Sequence, residues 1–234
     1  MKPAGITLLH ADDFYKPDSQ IPLHESTGFQ NWDCGGALDL PRLRGTLLKV
    51  KEEGVGAIPI DLVKQGGVED GVHATAAGGG SGSMIEGFID RKRQEVAAWR
   101  ARLPVQAQGR PIVLVEGFLL FGSGVRDSLD GIFDLKILVR ASRAKAGERR
   151  ERRNGYVTLE GFWADPPGYF EEVVWPGYEA EHGYLFRDQD VEGQVLEEAE
   201  REGGVKVQEG LDIGVEESCA WVLSLMEEAL AFPG

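Results

Sequence analysis

Asp12 and Asp13 follow directly on the apolar run from Gly5 to His10, and Glu116 closes a second run that begins at Pro111. A carboxylate at the end of a buried strand can take a proton from a substrate hydroxyl, or hold Mg²⁺ in a phosphoryl-transfer site. The plainer reading is an acid that caps the next turn, and two such acids at two strand ends say more than either alone. Between Arg140 and Arg153 stand seven bases in fourteen residues, the one strong positive patch of the chain. Arginines on a helix suit phosphate, through charge-assisted and often bidentate contacts. A solvated face is the alternative, because Glu148 and Arg152 have the favourable i,i+4 spacing. Trp32-Asp33, with Tyr156 far along the chain, offers aromatic faces for a flat ring and a carboxylate for ribose hydroxyls. Core aromatics with an N-cap at Asp33 would look the same. Trp163, Trp175 and Tyr178 read as structural, and the four histidines show no ligand spacing.

The elements that must position these residues can be read from periodicity. Ile6 to His10 is a short run of strand formers, and Ile112-Val113-Leu114-Val115 is a continuous apolar run of the kind buried on both faces of a parallel sheet. Phe133 to Val139 and Val205 to Val207 read as two more strands. Apolar residues three and four apart predict helices over 37–53, over about 85–103 and over about 215–231. Strands alternating with helices indicate an α/β fold with a mostly parallel sheet, whose ligands sit at the carboxyl ends of the strands. Residues 65–83, with seven glycines in nineteen positions, read as a flexible insertion.

Composition sets the outer bounds. The chain has 234 residues and a formal charge of −14, from 39 acids against 25 bases. That acidity argues against a nucleic-acid binder. No stretch approaches the ~18 apolar residues of a membrane span. Two cysteines, Cys34 and Cys219, make no disulfide framework and fit a reducing, cytoplasmic setting.

Taken in order, His10-Ala11-Asp12-Asp13-Phe14-Tyr15-Lys16-Pro17, Asn31-Trp32-Asp33, Val115-Glu116-Gly117-Phe118-Leu119-Leu120-Phe121, the basic Arg149 to Tyr156 stretch, and Pro166-Pro167-Gly168-Tyr169-Phe170 through Val174-Trp175-Pro176 make a set. The set resembles the nicotinamide riboside kinases, P-loop nucleoside kinases related to uridine kinase. The resemblance implies transfer of the ATP γ-phosphoryl group to the 5′-hydroxyl of nicotinamide riboside, with ATP as donor, Mg²⁺ as cofactor, and small nucleosides and nucleotides as partners. It makes Asp12 the general base, also near the metal, and Glu116 a second acid near the metal and substrate. Asp13, Phe14 and Tyr15 match the loop lining the nucleoside, and Asp33 the carboxylate that holds the ribose. Trp32 replaces an aromatic that stacks on the nicotinamide ring in the family, and Tyr156 matches the opposite wall of that site, with Val157 beside it. Arg149, Arg150 and Arg153 match the lid over the ATP phosphates, Arg150 also reaching the substrate.

The resemblance also implies a three-layer, P-loop kinase-like parallel sheet with helices on both faces. The chain reads as one such domain over 1–234, with a lid over about 143–165. No G-x-x-x-x-G-K-[ST] occurs, and no lysine follows a glycine. The expectation is therefore of a chain whose first βα unit is missing and which is inactive as written. The residues between Tyr156 and Pro166 read as a surface insertion. A non-catalytic nucleoside-binding relic, and a kinase of another ribonucleoside such as uridine, remain open beside this reading.

Overall fold

A computed structural model describes residues 6–59, 62, 82–153 and 155–231; the glycine-rich stretch expected over 65–83 lies almost wholly outside them. The first strand, β1 (Ile6–His10), pairs in parallel with β2 (Ile112–Glu116), Ile6 opposite Ile112 and His10 opposite Glu116. This register ends the pair with His10 beside Glu116, two residues before Asp12. Between the two strands in sequence lie α1 (Leu40–Glu53), α2 (Gly82–Arg102) and the single turn α3 (Val105–Gln108). The Asp39 side chain caps α1 by accepting the Arg42 N–H at 3.0 Å, with a proline in the first turn. Leu43 and Leu47 of α1 pack with Leu9, Phe14, Leu119 and Leu129 in the main core.

A second parallel pair joins β3 (Lys136–Leu138) to β6 (Val205–Val207). Helix α4 (Arg143–Glu151) begins at Ser142, whose hydroxyl accepts the Lys145 N–H at 3.1 Å. A short antiparallel hairpin follows, β4 (Tyr156–Val157) with β5 (Phe162–Trp163). One π-type turn, Phe170–Val174, leads into α5 (Trp175–His182), and α6 (Glu197–Gly203) precedes β6. The final helix, α7 (Val215–Ala231), brings Met226 against Trp99 and Leu103. Phe121 packs against both the main core and the cluster around Trp175, Leu185 and Phe186.

The expected continuous P-loop-type sheet is not what forms. The described residues make three separate two-stranded sheets. The first βα unit expected to be missing is also not missing from this architecture, because the N-terminal region supplies β1 and then α1. The apolar run in β2 misled because it was read as burial on two faces. In a two-stranded sheet only part of each strand is covered, so Leu9 is fully buried while Ile6, Leu8 and Leu114 remain more than a third exposed.

His182 carries a testable consequence of this packing. It is 1% exposed, lies against the Tyr178 ring at 4.6 Å, and has Nδ1 3.2 Å from the Tyr178 carbonyl. Burial lowers its pKa from the ordinary 6.5, against smaller opposing effects of that carbonyl and Glu181. The unfolded chain then binds a proton below pH 6.5 that the folded chain resists, so stability falls with pH below that value. Denaturant titrations across pH 5 to 7.5 are expected to show this acid-side loss, and His182→Gln is expected to flatten it.

Candidate functional site

The turn after β1, residues 11–14, carries the first acids. Ala11 and Phe14 anchor it in the core, leaving Asp12 facing outward and Asp13 half-buried. Gly117 lets β2 come this close, since a Cβ there would sit 2.5 Å from that of Ala11. Although solvent reaches the Asp12 carboxyl from one side, protein crowds the others, and this desolvation pushes its pKa up to about 6. Glu116 adds to the rise, the His10 charge opposes it, and Asp13 and Asp33 raise it further. His10 Nδ1 is hydrogen-bonded to Glu116 Oε1, a pairing across the last register position of the sheet. Asp12 and Glu116 lie in one another's field and offer hard carboxylate oxygens of the kind a divalent cation takes, although no cluster of three or more potential ligands forms among the described residues.

A second constellation surrounds Asp33. Arg150 on α4 donates Nη1–H and Nη2–H to its two carboxylate oxygens, at 2.9 and 3.0 Å. The same guanidinium donates Nε–H and Nη2–H to Asp165, at 2.5 and 3.2 Å. Tyr156 and Tyr169 hold it by their rings, at 5.5 and 5.4 Å. Burial works against the Arg150 charge, but Asp165 and Asp33 outweigh it and hold its pKa above the ordinary value. An ionised carboxylate has about four acceptor positions. Arg150 takes two of those on Asp33, which leaves two acceptor positions on a side chain 9% exposed.

Aromatic rings adjoin the ion pairs. Tyr15 meets Trp32 edge-on at 5.5 Å, Trp163 lies 5.8 Å from Trp32, and Tyr169 lies 5.7 Å from Trp163. The Tyr169 hydroxyl accepts the Trp32 backbone N–H at 3.0 Å and donates to the Gln30 carbonyl at 2.9 Å. Burial, helped by Asp12 and Asp33, holds the Tyr15 phenol well above its usual pKa. That shared field ties the Asp12 turn to the Asp33 cluster. A cleft of about 770 Å³ also borders Tyr15, but Lys16, Gln20, Gly36, Asp39 and Arg42 line it rather than Asp33 or Arg150.

The structure thus brings together Asp12, Glu116, Tyr15, Trp32, Asp33, Arg150 and Tyr156. Other residues of the sequence reading fall elsewhere. Phe14 is fully buried in the main core with Arg42 over its ring, and Val157 is 89% exposed. The basic patch divides. Arg140 is a buried brace, donating to the carbonyls of Val191, Gly193 and Glu209 at 2.9 Å each and stacking on Phe186. Arg143 pairs with Glu171, and Lys145 and Arg152 pair with Glu148. Arg149 is exposed on α4, and Arg153 donates to the Tyr156 hydroxyl at 3.2 Å.

Residues 157–165 are the main omission of the sequence reading. They are not a passive insertion: β5 delivers Trp163 to the aromatic cluster and the next turn delivers Asp165 to Arg150. The signal was present as two β-prone pairs, Tyr156-Val157 and Phe162-Trp163, around a four-residue link containing Gly161. Gly155 permits the tight return with φ +123°, where a Cβ would strike Phe162.

No family model matches the chain. Among curated proteins it is similar to the nicotinamide riboside kinase of Schizosaccharomyces pombe, 32% identical over 226 residues that span 97% of this chain and 86% of that one. The nicotinamide riboside kinase of Saccharomyces cerevisiae is 37% identical over 188 residues, 80% of this chain and 70% of its own. That of Eremothecium gossypii is 35% identical over 189 residues, 81% and 70% respectively. The first of these alignments corrects the expectation of a chain lacking its N-terminal, phosphate-loop region. The N-terminal region is present and takes part in the match.

Proposed function

Because the chain belongs to the nicotinamide riboside kinase family, we propose that it binds nicotinamide riboside and transfers the γ-phosphoryl group of ATP to the ribose 5′-hydroxyl, giving nicotinamide mononucleotide. One observation carries the reading beyond family membership. The turn that presents Asp12 lies in the same electrostatic field as the Asp33–Arg150 pair and the Tyr15–Trp32 rings.

In this reading the aromatic cluster takes the flat pyridinium ring, and Asp33 accepts from the ribose hydroxyls while Arg150 keeps its carboxylate oriented. Asp12 accepts the proton of the 5′-hydroxyl, a role open to a carboxylate set in the turn directly after β1. Asp12 and Glu116 would hold Mg²⁺, which when bound neutralises charge on the phosphates. Arg149 and Arg153, exposed beyond the half-buried Arg150, supply cations toward the donor phosphates, with residues 143–165 as the segment that closes over them.

Calorimetric titration with nicotinamide riboside, followed by an assay with ATP and Mg²⁺, tests this. Binding and ATP-dependent mononucleotide formation are expected, and absence of nucleoside binding overturns the reading. Binding without ATP-dependent turnover in the same pair of measurements overturns the transfer step and leaves a nucleoside-binding protein. Uridine, assayed in parallel, is expected to be the poorer ligand.

A further inference from the structure

The hairpin β4–β5 reaches the site from a stretch of sequence that looks like surface, and its two contributions are chemically linked. Trp163 places its ring between Trp32 and Tyr169, and its indole N–H donates to Asp165 Oδ1 at 3.0 Å. Asp165 in turn accepts from Nε and Nη2 of Arg150, which leaves the Nη1/Nη2 edge for Asp33. The relay therefore runs Trp163, Asp165, Arg150, Asp33. Its charged members are well covered, with side chains 22%, 16% and 9% exposed along the chain of contacts.

We infer that Trp163 and Asp165 are positioning residues for ribose recognition, fixing the orientation in which Arg150 presents Asp33 to the sugar hydroxyls. The inference rests on the reading of Asp33 as the ribose ligand. A planar guanidinium can pair with a carboxylate through either of two edges. With Asp165 holding the Nε edge, only the terminal edge can face Asp33, so the two free acceptor positions on Asp33 stay aimed one way. The second carboxylate also shares the single positive charge. Asp33 is then less fully neutralised than in an isolated pair and remains the stronger acceptor for neutral hydroxyls. Three anchors keep the hairpin in place: Thr158 Oγ1 donates to Asp18 at 2.6 Å, Ser19 N–H donates to Glu160 at 3.0 Å, and Glu160 N–H donates to Asp18 at 3.3 Å.

The test compares dissociation constants of nicotinamide riboside and its 2′-deoxy analogue, by calorimetry on the full chain, for the wild type, Trp163→Phe and Asp165→Asn. Trp163→Phe keeps an aromatic ring and removes the N–H; Asp165→Asn keeps the shape and removes the charge. The wild type is expected to prefer the riboside. Each variant is expected to bind the riboside about tenfold more weakly, equivalent to about 1.4 kcal/mol, while the deoxy analogue changes little. A structural role alone would weaken both ligands together. Asp165→Glu, which restores a carboxylate, is expected to recover part of the preference.

A riboside-to-deoxy ratio unchanged from wild type in both variants overturns the inference, as does failure of both variants to fold. Binding of the riboside by the wild type with no preference over the deoxy analogue removes Asp33 as ribose ligand and the inference with it. A wild type that binds neither compound instead rejects the nucleoside reading itself, a result distinguishable from the others, and takes the relay's proposed purpose with it.

Discussion

Arg150→Met is expected to lower the stability of the chain by about 3 kcal/mol and to weaken nicotinamide riboside binding at least tenfold. The guanidinium is the cation for both Asp33 and Asp165, with four N–H···O contacts between 2.5 and 3.2 Å. Removing one partner of a covered ion pair leaves an uncompensated charge, typically at a cost of 3–5 kcal/mol. Here two carboxylates are left, but each retains some solvent, which places the expected loss at the lower end. Urea denaturation at pH 7 and pH 5 checks the origin of the effect. Stranded carboxylates relieve their repulsion by taking up protons, so the deficit is expected to narrow at the lower pH. Arg150→Lys separates charge from shape. It restores a positive charge but cannot present two edges to two carboxylates, so a partial rescue of stability with little rescue of ribose affinity is expected. A variant as stable and as tightly binding as wild type would mean that the ion pairs contribute neither to the fold nor to the site.

Asp12→Ala is expected to reduce turnover about a thousandfold, within the usual range for loss of a general base, while nicotinamide riboside affinity changes less than about threefold. The separation follows from geometry. Asp12 stands at the end of β1, while the ring and ribose contacts are assigned to Tyr15, Trp32 and Asp33. Turnover by rapid-quench and affinity by calorimetry distinguish the outcomes. Equal losses in both would make Asp12 mainly a ligand for the nucleoside.

Local chemistry explains what the sequence could reveal and what it could not. Asp12 and Glu116 were legible because a strand followed by an acid is a pattern of a few neighbouring residues. The register of β1 against β2 then sets His10 beside Glu116, and the Asp12 turn follows directly on that pair. Arg140 was not legible. Its charge looked like part of a phosphate-binding face, yet it serves three carbonyls 51 to 69 residues away, and no local pattern distinguishes a bracing arginine from a solvated one. Asp165 and Trp163 were hidden for the same reason, since their partners Arg150 and Trp32 come from other segments. Strands β1, β2, β3 and β6 were recognisable singly, from apolar runs, but β4, β5 and the pairing into three sheets were not. Which strands become neighbours depends on packing between helices and turns distant in sequence.

The contact between Asp33 and Arg150 spans 117 positions, and that between Trp32 and Tyr169 spans 137. Helices such as α1 can form from neighbouring residues, but these two closures require most of the chain to have found its course. The entropy of joining such distant points falls due before any of their contacts can repay it. A partly folded chain can therefore keep its helical content and lack the candidate site altogether. Ligand affinity then reports on completion of the fold, and any ligand held by these residues, by binding only the completed form, shifts the population toward it.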